Sequence, residues 1–423
     1  MAGAAFLAFL AAGVPIAFAL IALAIVMILV SGQSVLFLSF PQIFFGGLEN
    51  YGLLALPLFI LLGEFMSSGG IGRRLMALAL AMLGPVRGGL AYVNLVANMM
   101  MASILGSTVA QITIMSRIAV PEMERTGYPR DVSVAITAAG GMLAPIIPPS
   151  MLFIIFGVIA QLPIGDLFIA GIVPGVILFA AFLVVIWLLG RKHGFPKSEK
   201  VAVADRIRAV GRALPAALIP VVIIGTILGG IATPTEAAAI ATLIAAFIGL
   251  FVYREMELSD IWPAFMRAAA SSAVVLFLIA AAGLFSWVIT FANIPALVSA
   301  WVQGLTSSPI LFLLLINLML LFLGMITDPI PAIILVVPVF LPVATGVYGI
   351  DPFQFGVIVC LNLTAGLLTP PVGTGLFTAA LMGKVRAERL ALLIMPFFLS
   401  VALVLVALTI FPDLSTGLGR ILQ

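Results

Sequence analysis

Two short clusters of oxygen-bearing residues interrupt a chain that is otherwise almost wholly apolar. Around Ser107 and Thr108 the sequence reads GSTVAQ, and around Asp328 it reads ITDPIP, a carboxylate between Thr327 and a proline. Hydroxyls, carboxylates and freed carbonyls are the hard ligands that can replace the water shell of a cation. An ionised carboxylate inside a bilayer costs about 2.5–3.5 kcal/mol on insertion scales and demands a partner. Asp328 has no basic neighbour in the sequence, so a bound cation is the economical partner, with a water-exposed turn as the alternative. For Ser107 and Thr108 taken alone, helix capping or interhelical hydrogen bonding is the simpler reading. Their setting moves the ion reading ahead: Gly140-Gly141 faces the first cluster as Asn362, Thr364 and Gly366 face the second. Glu64 and Glu236 are the other acids in apolar surroundings, both near span ends. Pro234-Thr235-Glu236 fits a helix start, with proline in the first turn and an acid at the positive dipole end.

Holding such clusters requires backbone that breaks within the membrane. After Gly106 come the Gly140-Gly141 pair and prolines at 145, 148 and 149, and the stretch from Gly324 to Leu376 repeats the arrangement. Pro148-Pro149 and Pro370-Pro371 correspond at an offset of 222 residues. Broken backbone survives at membrane depth only where protein or a water-filled cavity satisfies its polar groups. In secondary transporters such segments hold substrate and coupling ion.

The composition sets the class. The chain is 64% hydrophobic and 8% charged, against roughly 25% charged in soluble domains, with a mean hydropathy of +1.33. The fold class is therefore an all-α polytopic membrane protein. Spans are expected at 4–31, 51–67, 131–162, 167–190, 214–232, 234–253, 269–292, 351–383 and 390–411, since about 20 residues cross a bilayer. Hairpins are expected at 88–128 and 309–348. Residues 4–31 read as a retained first span rather than a leader. Arg73, Arg74, Arg87, Arg117, Arg125 and Arg130 mark the cytoplasmic side, and the charge-poor segments 33–50 and 293–308 the outside. By this assignment the hairpins enter from opposite faces. The chain divides into a first repeat (1–190), a basic amphipathic connector (191–213) and a second, inverted repeat (214–423). Length leaves the first hairpin's tip open between a re-entrant turn and an external one.

Several functions are excluded by what is missing. There is no phosphate-binding G-x-x-x-x-G-K-[ST] loop, so ATP does not drive this chain directly. The sole histidine, His193, lies in the basic connector, which removes intramembrane His-based hydrolysis, and no catalytic group or cofactor is expected. The single cysteine, Cys360, allows neither an intrachain disulfide nor a thiolate metal cluster. The connector's basic charge follows the positive-inside rule rather than nucleic-acid binding.

Five segments in order carry a family resemblance over essentially the whole length: GVPIAF from Gly13, PLFILLGEFMSSGGIGRRL from Pro57, AAGGMLAPIIPPS from Ala138, ATPTEAAAIA from Ala232 and GLLTPPVGTGLF from Gly366. The sequence resembles the large membrane subunit of tripartite ATP-independent periplasmic (TRAP) transporters. The resemblance implies an elevator-type importer of the bacterial inner membrane, usually of organic anions such as carboxylates, sialic acids or sulfonates. It implies two re-entrant hairpins, a separate four-span membrane subunit and a periplasmic substrate-binding protein. Sodium ions are the coupling ions it implies, carried over to Ser107, Gly140, Gly141, Asp328, Asn362, Thr364 and Gly366. The substrate is then expected between the tips, near Ser107, Thr108, Pro145, Pro148, Thr327, Thr369 and Pro370. Two alternatives stand: a sodium/anion symporter that works without a binding protein, and a non-transporting scaffold or channel subunit.

Overall fold

The structure, a computed structural model, describes residues 8–9, 12–83, 87–196, 203–370 and 372–422. Pro371, the first seven residues and connector residues 197–202 lie outside the described residues. Helix is the only regular secondary structure among those described, and eight segments are long and apolar enough to cross a membrane.

The first helix, α1 (Ile16–Val30), starts after Gly13 and Pro15, so the expected 4–31 span is interrupted near its start. Pro15 precedes the first turn, where its missing N–H has no intrahelical acceptor to lose. The charge-poor outer segment 33–50 contains α2 (Phe40–Gly46), which packs on α12 (Leu258–Phe291). Next come α3 (Ala55–Ser68) and α4 (Ile71–Leu83). Arg73 and Arg74, the markers of the cytoplasmic side, lie within the second of these. Its Leu, Met, Ala and Arg residues are strong helix formers whatever their charge.

The basic connector does not end at a structural break. Helix α10 (Val203–Leu228) runs through residues 213 and 214 and includes Pro215. There the Tyr253 hydroxyl donates to the Arg212 carbonyl (2.9 Å) and accepts from the Ala216 N–H (3.1 Å). A side chain thus occupies one rung of the ladder that proline disturbs. Likewise, the stretch between Arg254 and Arg267 and the following span form one helix, α12, with Arg267 inside it. That residue pairs with Glu64 at 2.8 Å. Helix α11 (Pro234–Phe247) opens with a capping box in which Thr233 and Glu236 serve each other's backbone. Helices α1, α3, α11 and α12 pack side by side.

The remaining helices form two series in the same order. The first is α5 (Gly89–Leu105), α6 (Thr108–Arg125), α7 (Arg130–Gly141), α8 (Met151–Ala160) and α9 (Ile164–His193). After α13 (Ile294–Leu305), the second is α14 (Pro309–Ile326), α15 (Pro329–Gly346), α16 (Pro352–Gly366), α17 (Thr374–Gly383) and α18 (Ala387–Ile410), with α19 (Asp413–Leu422) last. Contacts repeat under exchange of the series. Helix α5 packs on α7 as α14 does on α16, and α6 on α17 as α15 does on α8. Helix α9 packs on α16 as α18 does on α7. At one end the series are tied by Arg130, whose Nε donates to the Gly383 carbonyl at 2.7 Å, and by an Arg389–Asp131 ion pair.

Candidate functional site

Both hairpins turn where the sequence places its oxygen clusters. Between α5 and α6, Gly106 takes a left-handed conformation (φ 56°) and its α-carbon abuts Met151: a β-carbon there would lie 3.1 Å from the Met151 backbone nitrogen. Glycine alone meets both demands without strain. Ser107 then caps α6, its hydroxyl accepting from the Ala110 N–H at 3.5 Å. Thr108, the first residue of α6, is buried (3% exposed), and its Oγ1 has no hydrogen-bond partner among the described residues. The Thr108 carbonyl lies 3.4 Å from where a β-carbon on Gly141 would sit. The structure therefore brings Ser107, Thr108, Gly140 and Gly141 together.

The interruption between α7 and α8 is protein-lined throughout, with Pro145 and Pro148 both buried. Ser150 closes it as the cap of α8, its hydroxyl donating back to the Pro145 carbonyl and accepting from the Phe153 N–H. This satisfies backbone that lipid could not.

In the second series, α14 and α16 approach until their backbones touch. A β-carbon on Gly366 would stand 2.6 Å from the Gly324 α-carbon. Thr327 donates to the Leu323 carbonyl at 3.0 Å, and Asp328 caps α15 by accepting the Ile330 N–H at 3.1 Å. Asp328 is exposed, and Ile330 is its one hydrogen-bond donor among the described residues. Asn362 turns away toward α14, its Nδ2 donating to the Asn317 carbonyl (2.9 Å) and side-chain oxygen (2.7 Å). Its own Oδ1 is buried and unpartnered. Thr364 and Thr369 donate to carbonyls one turn back, Cys360 and Ala365. Pro370 is exposed. No hydrogen bond joins Asp328 to Asn362, Thr364 or Gly366 among the described residues. The structure assembles that group through Gly324 and Asn317 instead.

A buried amide network was not legible as a site in the sequence. Gln111, fully buried on α6, directs its Nε2 to the Asn98 carbonyl (2.8 Å), the Asn98 side-chain oxygen (2.9 Å) and the Gly140 carbonyl (3.3 Å). Asn98 in turn donates to Asn94, and Asn94 to the Thr137 hydroxyl at 2.7 Å. Three helices are pinned by one chain of amides just behind the first tip. Gln111 Oε1 joins Thr108 Oγ1 as a buried oxygen without a donor. Unpartnered oxygens of this kind, at the tip that packs on Gly140-Gly141, are a donor type suited to a hard monovalent cation.

Residues 4–414 match the family described as "Tripartite ATP-independent periplasmic transporter, DctM component". The chain is 37% identical over 373 residues to the 2,3-diketo-L-gulonate TRAP transporter large permease protein of Escherichia coli K12, covering 88% of each. It is 37% identical over 370 residues to the C4-dicarboxylate TRAP transporter large permease protein of Pseudomonas aeruginosa, covering 88% of this chain and 86% of that one. With the sialic acid TRAP transporter large permease protein of Vibrio cholerae it shares 33% over 407 residues, 96% of this chain and 95% of the other. Among solved structures it is similar to the YdaH transporter of Alcanivorax borkumensis, with a TM-score of 0.68 over 93% of this chain and 90% of that one. At 16% identity that likeness is one of fold alone.

Proposed function

Because the chain belongs to the tripartite ATP-independent periplasmic transporter family, as its large permease component, we propose that it imports an organic anion down a sodium gradient by an elevator movement. Such permeases are multi-pass proteins of the bacterial inner membrane and work with a small membrane subunit and a periplasmic binding protein. The substrates named for the relatives above are a sugar acid, a C4-dicarboxylate and sialic acid. An organic acid is their common denominator.

The observation that carries the reading is the interleaved pair of hairpins and broken helices, with the unpartnered Thr108 hydroxyl at the first tip. Ser107, Thr108 and the Gly140-Gly141 backbone would hold one sodium ion; Asp328, Asn362, Thr364 and Gly366 would contribute to a second. Bound sodium supplies positive charge beside the substrate, in a region where the sequence offers no buried Lys or Arg. The chain's own part is to orient the anion. The first turn of α6 presents backbone N–H groups, and Thr327 and Thr369 would turn their hydroxyls from the Leu323 and Ala365 carbonyls to the anion. Helices α5–α8 and α14–α17 form the mobile body, and α1, α3, α4 and α10–α12 the frame against which it slides. Each net positive charge carried inward gains about 2.3 kcal/mol per 100 mV.

The test is reconstitution of the permease in proteoliposomes with its small subunit and binding protein, using a panel of sugar acids, dicarboxylates and sialic acid. Uptake should require both the binding protein and an inward sodium gradient. Uptake without the binding protein would establish the stand-alone symporter instead. No uptake of any acid would leave the scaffold or channel reading.

A further inference from the structure

We propose a second anion site, on the cytoplasmic release path, in the cavity between the frame and the first hairpin. The inference rests on the reading of the chain as an anion importer. A cavity of about 350 Å³ opens between α3–α4 on one side and α5–α6 on the other. That is the size of a pocket for a small organic molecule. Its walls include Met66, Ser67 and Arg73 from the frame side, and Met101, Ile114 and Arg117 from the hairpin. Arginines stand on opposing walls, and none of the lining residues is acidic.

The balance of charge is positive. On the frame wall, Arg73 and Arg74 share a single carboxylate, Glu255. On the hairpin wall, Arg117 is exposed and makes no ion pair or hydrogen bond among the described residues. A guanidinium without an acid, lining a cavity whose other arginine, Arg73, shares its one carboxylate with Arg74, is a ready partner for carboxylate. Methionine and isoleucine beside it suit the carbon skeleton of an organic acid. Arg117 lies nine residues along α6 from Thr108, about 14 Å of helix toward the cytoplasmic end. An anion leaving the first tip therefore meets Arg117 before bulk water, and the site holds the substrate class while the tip closes behind it. Because Arg117 rides on the hairpin and Arg73 on the frame, movement of one body past the other changes their separation and so the grip on the anion.

The test uses the full chain with Ser67→Cys in a Cys360→Ser background, in inside-out and right-side-out membrane vesicles. Ser67 is exposed to the cavity. The probes are impermeant methanethiosulfonates of opposite charge, one sulfonate and one trimethylammonium. Reaction should occur from the cytoplasmic side and favour the anionic reagent. Arg117→Gln should lower the anionic-to-cationic rate ratio by roughly five- to tenfold, the effect of one unit charge across a water-filled cavity on reagents differing by two charges. Arg117→Lys should keep it. Millimolar succinate or N-acetylneuraminate should slow labelling in the Arg117 protein and not in Arg117→Gln. A ratio indifferent to Arg117→Gln overturns the site, as does the absence of protection by every acid tried. Neither result bears on sodium-driven uptake, which the proteoliposome experiment reads independently.

Discussion

Replacing Gln111 by leucine is the perturbation that separates the amide network from general packing. The side chain is fully buried, and leucine is close to it in volume but donates nothing. Three acceptors lie within reach of Nε2, at 2.8, 2.9 and 3.3 Å. A nitrogen with two hydrogens makes at most two good bonds at once; the Asn98 side-chain oxygen loses its donor, while the Gly140 carbonyl keeps the Leu143 N–H at 3.1 Å. The unsatisfied oxygen costs about 1–3 kcal/mol, and the further lost bond and the gain from the apolar side chain offset each other in part, leaving a net loss of about 1–3 kcal/mol. That is a large fraction of a typical stability of about 5–15 kcal/mol. The bond from Gln111 to the Gly140 carbonyl, which ties α6 to α7 beside the first tip, is also lost. Gln111→Leu should therefore lower the thermal unfolding midpoint in lipid nanodiscs by several degrees and raise the sodium concentration needed for half-maximal uptake. The control is Gln303→Leu, which removes an exposed amide bonded to Ser299. If the two variants unfold at the same temperature and respond alike to sodium, the network neither braces the fold nor positions the tip.

Asp328→Asn should raise the half-saturating sodium concentration at least tenfold while leaving insertion and yield near normal, as read by uptake titration against membrane-fraction blots. Unchanged sodium dependence would leave Asp328 as the cap of α15 and nothing more. Gly366→Ala forces a methyl group into the Gly324 backbone, which cannot rotate aside, so α14 and α16 must separate; a loss of about 1–3 kcal/mol or more is expected in thermal melts. For Glu255, burial would raise the carboxyl's pKa, but Arg74 and Arg73 outweigh it and hold it below the ordinary carboxylate range. A depressed folded-state pKa means stability that is present above the unfolded value and lost as pH falls through the folded one. The difference in melting temperature between wild type and Glu255→Gln should accordingly be largest near neutral pH and shrink on acidification below the usual glutamate range. A difference independent of pH would refute the ion-pair account.

What the sequence exposed and what it hid follow from one physical distinction. Glycine and proline alter backbone geometry by themselves, so the tips at Gly106 and Asp328 and the interruptions after Gly141 and Gly366 were visible in one dimension. Arginine does not alter it, so Arg73 and Arg74 mark a side of the membrane and say nothing of the helix over 71–83, whose residues are good helix formers. Asn94, Asn98, Gln111 and Asn317 were hidden for another reason: a lone amide in an apolar helix carries no sign of its partner. The available signal was the repeat itself. Near the offset that aligns Pro148 with Pro370, Asn94 falls close to Asn317 and Gly140 falls on Asn362. In the first series the helix after the hairpin offers the Thr137 hydroxyl, as acceptor, to the Asn94 amide on the hairpin's first arm. In the second it offers a side-chain amide, at Asn362, to a carbonyl and side-chain oxygen on the hairpin. Donor and acceptor have changed places across the same helix contact. A comparison of residue types between the halves finds glycine against asparagine and sees no correspondence, whereas a comparison of what each position must bond to finds the contact in both.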